Sequence, residues 1–174
     1  MIRRLFSVVI LAMLIYGGAQ ADALPGLVRL QVVAESDDAE AQALKLKLRD
    51  ACLRAAEVCL ADSPDADTAY ARLEAHLDDF QIACETRARE LGCEAGVRAE
   101  VGTFDFPDRV YGKLFVPAGE YRALRVTIGA GEGHNWWCVL YPSLCALNET
   151  DAAGERDAAG ILDWLRSRWG GDAK

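Results

Sequence analysis

Histidine is nearly absent from this chain: His76 and His134 are the only two in 174 residues. The six cysteines form no C-x-x-C pair, and no H-E-x-x-H element occurs. Zinc sites need such ligand groupings, so the sequence predicts no metal. Asp-Thr-Gly and Gly-x-Ser-x-Gly elements are missing, and no aspartate run has calcium-loop spacing. Several hydrolase classes are thereby excluded, and the reading is of a protein with no catalytic residues and no cofactor. Basic charge is also short, with 19 Lys and Arg against 27 Asp and Glu and a net charge of −8. Nucleic-acid binders carry a basic footprint, and anionic lipid attracts cations, so neither partner fits by electrostatics. What is present is apolar: 52% of residues are hydrophobic, enough for a real core.

The N-terminus has its own logic. Arg3 and Arg4 precede an apolar run from Leu5 to Tyr16, then Gly17-Gly18 and Ala19-Gln20-Ala21. A charged start, a short apolar stretch and a small-x-small end describe a secretory signal peptide over residues 1–21. The run is well short of the roughly 20 residues a spanning helix needs. A retained membrane anchor extended through the glycines is the alternative, and either implies export. Removing this segment makes the rest more acidic, since it holds two arginines and no acid.

Residues 27–34 alternate as a strand, Val28, Leu30 and Val32 against Arg29 and Gln31. Ser36-Asp37-Asp38 supplies helix-capping chemistry, and from Ala39 to Leu60 apolar residues recur at helical spacing. Lys45, Lys47, Arg49 and Arg54 fall on the opposite, solvated face. After Asp62-Ser63-Pro64-Asp65, a second helix is expected along the stripe Tyr70, Leu73, Leu77, Phe80, Cys84, Ala88 and Leu91. The pair reads as a helical hairpin. Strands are expected over 93–103 and 120–128, separated by a loop-rich crossing at 104–119. This order predicts an α+β, two-layer domain: a small, mainly antiparallel sheet packed against the hairpin. Residues 148–160 read as a flexible linker, and 161–170 as a short amphipathic helix with Ile161, Leu162, Leu165 and Trp169 on one face. That helix either packs on the domain or rests on a membrane surface or a partner.

All six cysteines follow the signal segment. Cys52 and Cys59 lie about 10.5 Å apart along one expected helix, too far to pair. Cys138 and Cys145 flank Tyr141-Pro142-Ser143-Leu144, where a proline-centred reversal brings them together, so a Cys138–Cys145 disulfide is expected. The pairing of Cys52, Cys59, Cys84 and Cys93 stays open, and these are read as buried thiols.

The densest chemistry lies in Gly129-Ala130-Gly131-Glu132-Gly133-His134-Asn135-Trp136-Trp137-Cys138. Three alternate glycines suggest a phosphate cradle, but neither the lysine nor the helix of such loops follows. A tightly turned or mobile loop fits better. His134 and Cys138 suggest a thiol hydrolase, which a disulfide at Cys138 would disable. Trp136 and Trp137 point to opposite faces of an extended segment, one expected in the core and one at a contact surface. An aromatic glycan platform is the alternative use.

The stretch YGKLFVPAGEYRALRVTIGAGEGHNWWCVLYPSLC, Tyr111 to Cys145, resembles the signature of the stage II sporulation protein R family, YG…PAGEY…G.G..NWWCVL.PPLC. VRLQVVAESDDAEAQALKLKLRDA, Val28 to Ala51, is similar to its I/V-R-L-x-V-x-A-N-S-D and LK…RDA elements, and Phe106-Pro107 to its FP. The resemblance covers residues 27–147. Glu35 stands where that family commonly has asparagine, and Ser143 where it has a second proline; Cys52, Cys59, Cys84 and Cys93 lie outside its pattern. The resemblance implies a forespore-made signalling protein, secreted into the space between forespore and mother cell. There it would activate a membrane-embedded sporulation aspartic protease, which processes the sigma-E precursor. It further implies that His134, Asn135, Trp136 and Trp137 contact that partner, with Tyr111 and Tyr121 as nearby supports. The other readings are the extracytoplasmic thiol hydrolase through Cys138 and His134, and a cell-wall-binding module through Trp136 and Trp137.

Overall fold

The computed structural model describes residues 23–112 and 114–142. The expected signal segment, linker, terminal helix and Cys145 lie outside the described residues. Among the described residues, six strands and three helices follow in the order β1 (Val28–Val33), α1 (Ala39–Leu60), α2 (Ala66–Ala75), α3 (Leu77–Glu90), β2 (Val97–Phe106), β3 (Arg109–Tyr111), β4 (Leu114–Val116), β5 (Gly119–Ile128) and β6 (Asn135–Tyr141). The main sheet has the order β2-β5-β1-β6, with β1 and β5 parallel and the two outer pairs antiparallel. The α+β, mainly antiparallel architecture is therefore as the sequence predicts.

Capping explains the helix starts. Asp38 accepts from Ala41 N at 2.8 Å to open α1, and Asp65 accepts from Thr68 N at 2.7 Å to open α2. The second arm of the hairpin is not continuous. His76, at φ −111° and ψ 17°, closes α2 and opens α3, so the stripe read as one helix bends there. Gln81 of α3 then reaches the end strand β2, donating to Val97 O at 2.8 Å and accepting from Ala99 N at 2.6 Å. That amide caps backbone groups an outer strand would otherwise leave open.

Every residue of β1 is buried. Val28, Leu30 and Val32 join Leu124, Val126 and Ile128 of β5 and Cys138 and Leu140 of β6 beneath the helices. The opposite face is covered too, by Leu27, Phe106, Tyr111, Val116, Tyr121, Ala123 and Val139. This second core is the main departure from the expected two layers. The crossing at 104–119, read as loop, contains the β3–β4 hairpin, whose Tyr111 and Val116 close over the sheet while Val110 and Phe115 stay exposed. The outcome also revises three polar assignments: Arg29, Gln31 and Lys45 are buried. β6 was likewise not evident as a strand, because glycines lead into it and aromatic residues occupy both of its faces.

The β5–β6 connection binds back onto the end of β1. Glu132 N donates to Glu35 O at 3.1 Å and Gly133 N to Ala34 O at 3.0 Å. A Cβ on Gly133 would drive into the Ser36 carbonyl, whereas one on Gly92 would meet nothing within 4 Å. Gly133→Ala is expected to cost at least ~2 kcal/mol in urea denaturation, and Gly92→Ala only about 1 kcal/mol from its positive φ. Equal costs would show that the contact at Ser36 is not tight.

Candidate functional site

Four chain segments meet at the start of β6. Gly129 and Gly131 take φ of 54° and 68°, which lets the chain reverse after β5 without a Cβ penalty. The loop is tightly turned and tethered. His134 N donates to Asp37 Oδ1 at 2.6 Å, and the His134 ring contacts the same carboxylate. Those hydrogen bonds, the backbone one first, hold the Asp37 carboxyl below the usual carboxylate range. Lys45 reaches in from α1 and donates to His134 O at 2.9 Å. Burial lowers its ammonium pKa, with Asp37 opposing that shift. Gln42 holds the other side, donating to Ser36 O at 2.9 Å.

The two tryptophans diverge as an extended segment requires. Trp136 packs against the helix-side core, with the Arg49 guanidinium 5.0 Å from its ring centroid. Trp137 lies on the other face, edge-on to Phe106 at 5.0 Å, with Arg109 at 6.0 Å. Both are half-buried, so the expected division into one core and one surface tryptophan does not hold. Arg49, read as part of a solvated face, is instead a neighbour of Trp136.

Below Trp137 lies a buried cation. Arg29 is 0% exposed, yet no carboxylate pairs with it among the described residues. Its Nη2 donates to the Tyr111 hydroxyl at 2.8 Å, and Nη1 has no hydrogen-bond partner. Three rings surround it, with centroids at 4.1 Å for Phe106, 5.0 Å for Tyr121 and 5.9 Å for Tyr111. Tyr121 is anchored in turn, donating to Pro117 O at 2.9 Å and accepting from Leu24 N at 3.2 Å. Burial lowers the Arg29 pKa and raises that of Tyr111, each partner opposing the other's shift. Arginine is the cation best able to stay charged here, because of its very high intrinsic pKa.

The structure thus sorts the expected site residues. His134 is exposed, and Asn135, Trp136 and Trp137 are partly exposed around it. Tyr111 and Tyr121 are buried at 2% and 3%, so they act from beneath and do not offer surface for a partner. Arg29, Lys45 and Asp37 were missed as site residues. Strand alternation placed Arg29 with Gln31 on a face taken as polar, and nothing in the periodicity marks that face as covered. Cys138 is fully buried on the helix side. His134 lies four residues earlier and points to solvent, about 13 Å away at strand rise, so the two form no catalytic pair. Cys138 is already engaged as a half-cystine, while Cys52, Cys59, Cys84 and Cys93 are free thiols. Among the described residues no cluster of three or more His, Cys, Asp or Glu side chains could hold a metal ion.

The family model for stage II sporulation protein R matches residues 25–151. This chain belongs to that family. It is 36% identical over 122 residues to stage II sporulation protein R of Bacillus subtilis (strain 168), an alignment covering 70% of this chain and 54% of the relative. The chain therefore spans about half the length of that curated relative. No solved structure matches. In this sporulation protein R chain, Arg29, Phe106, Tyr111, Tyr121 and Trp137 come from five separate signature stretches and converge on one cluster. The signature thus describes a packed assembly under β6 as much as an exposed surface.

Removing the Tyr111 hydroxyl leaves the buried guanidinium without its one short hydrogen bond. Tyr111→Phe is expected to lower stability by about 1–3 kcal/mol. In an Arg29→Met background the same change should cost under about 0.5 kcal/mol, because the charge is gone. Additive losses in this double-mutant cycle would show that the two side chains are not coupled.

Proposed function

We propose that this chain is an exported signalling protein of sporulation that acts by being recognised, with no bond-making of its own. Its target in this reading is a membrane-embedded aspartic protease on the extracytoplasmic side, in the space between forespore and mother cell. The activated protease would process the sigma-E precursor. Membership of the sporulation protein R family supports the sporulation setting, and the charged start and apolar run of residues 1–21 support export.

The observation that carries the contact surface is the arrangement at the start of β6. His134, Asn135 and Trp136 follow one another on backbone that Asp37 and Lys45 hold at His134 and Ala34 holds at Gly133, while Trp137 emerges on the opposite face of the sheet beside Phe106. Half-buried aromatic residues on ordered backbone lose little conformational entropy on binding, which favours them as anchors. A Cys138–Cys145 bridge would add to this order by tying the chain after β6 back to the strand. The thiol-hydrolase reading loses its nucleophile to the burial and bonding of Cys138. A glycan platform needs open aromatic faces, and Arg49 and Arg109 lie close to these two rings.

Co-expression with the cognate protease and the sigma-E precursor in a non-sporulating host tests the reading. Wild-type protein should trigger precursor cleavage. His134→Ala and Trp136→Ala, checked for folding by circular dichroism, should each reduce it at least about tenfold, the loss of one interface anchor. Full cleavage by both folded variants would remove this surface from the proposal. Cleavage without the chain would remove the activator role.

A further inference from the structure

Two core cysteines stand in an arrangement that the family signature does not include. Cys52 lies on the buried stripe of α1 and Cys84 on that of α3, at 1% and 2% exposure. Their sulfurs are 3.3 Å apart. A disulfide spans about 2.05 Å, so bonding requires the sulfurs to close by little more than an ångström, which small side-chain rotations supply. Ala56 and Ala88 lie in the same core cluster. Helices that meet through alanine and cysteine approach to about 8 Å between axes, which brings facing Cα atoms into disulfide range.

We propose that Cys52 and Cys84 form an interhelical disulfide that staples α1 to α3. This rests on the export reading above, because such bonds persist in oxidising compartments. The oxidant is a small-molecule disulfide or the active-site disulfide of a thiol oxidase. One cysteine thiolate attacks a sulfur of that disulfide, giving a mixed disulfide and releasing the oxidant's first thiolate. The second cysteine thiolate then attacks the mixed disulfide at the protein's sulfur and expels the oxidant's other thiolate. Two protons and two electrons leave the protein, and the oxidant becomes a dithiol or two thiols. Burial of both sulfurs places this exchange before α1 and α3 dock. Cys59, whose thiol faces Arg72 O at 3.7 Å, and Cys93, beyond the end of α3, stay reduced.

The test uses the full chain, refolded in a glutathione redox buffer, alkylated in denaturant and mapped by mass spectrometry. The expected result is a cross-linked Cys52–Cys84 peptide pair, with Cys59 and Cys93 alkylated. The gap in melting temperature between oxidised and reduced protein should be roughly 5–15 °C larger for the wild type than for the Cys52→Ala, Cys84→Ala double variant, which keeps the bond at Cys138. Full alkylation of Cys52 and Cys84 after oxidative refolding, or their pairing with Cys59 or Cys93, would overturn the proposal. The same mapping on protein recovered from the extracytoplasmic fraction separates the two readings. Bonding in buffer with free thiols there would uphold the pairing and count against the exported setting.

Discussion

The architecture depends on a strand that is covered on both sides and carries a charge on one of them. β1 lies between the parallel β5 and the antiparallel β6, with all six residues buried. Its even-numbered positions feed the helix-side core, and Arg29 is embedded among tyrosine and phenylalanine on the other side. With no carboxylate beside it among the described residues, the buried guanidinium carries a desolvation cost of several kcal/mol, offset here by one short hydrogen bond and three ring faces. Each compensating group comes from a different segment: Phe106 from the end of β2, Tyr111 from β3, Tyr121 from β5. Those segments must therefore all be in place for Arg29 to be tolerated. The charge links the β3–β4 hairpin to the sheet, and Phe106 passes the arrangement on to Trp137.

A second, polar linkage operates at the other end of the same strand. The chain leaving β1 through Glu35 and Asp37 receives the backbone of the β5–β6 loop, and Lys45 of α1 binds the carbonyl of His134. The exposed start of β6 is thus positioned from above by hydrogen bonds and from below by aromatic packing. A surface built this way is ordered before any partner arrives, in keeping with a protein proposed to signal by shape and chemistry alone.

Much of this was legible in the sequence, and the gaps have physical causes. The strands at β1, β2 and β5 and the capped helix α1 follow from alternation and capping residues, because those signals are local. The break at His76 was hidden, since the apolar stripe keeps its spacing across a single non-helical residue. Lys45 looked like a solvated charge and Arg29 like the polar side of an alternating strand, because periodicity reports which face a side chain is on and never what covers that face. The covering element, β3–β4, is two three-residue strands in a glycine- and proline-containing stretch, too short to show a period. The signature residues of the family did carry that information in another form: Phe106, Tyr111 and Tyr121 recur in its pattern, and they are the residues that enclose Arg29.

Inside its aromatic enclosure Arg29 is held rigid and charged. Nitrogen-detected NMR of the arginine side chains, on protein labelled with nitrogen-15, reads this directly. Arg29 should give separate, ring-shifted Nη signals at neutral pH, with hydrogen exchange far slower than for Arg98, whose side chain is 71% exposed. A single averaged Nη signal for Arg29, exchanging as fast as that of Arg98, would contradict it.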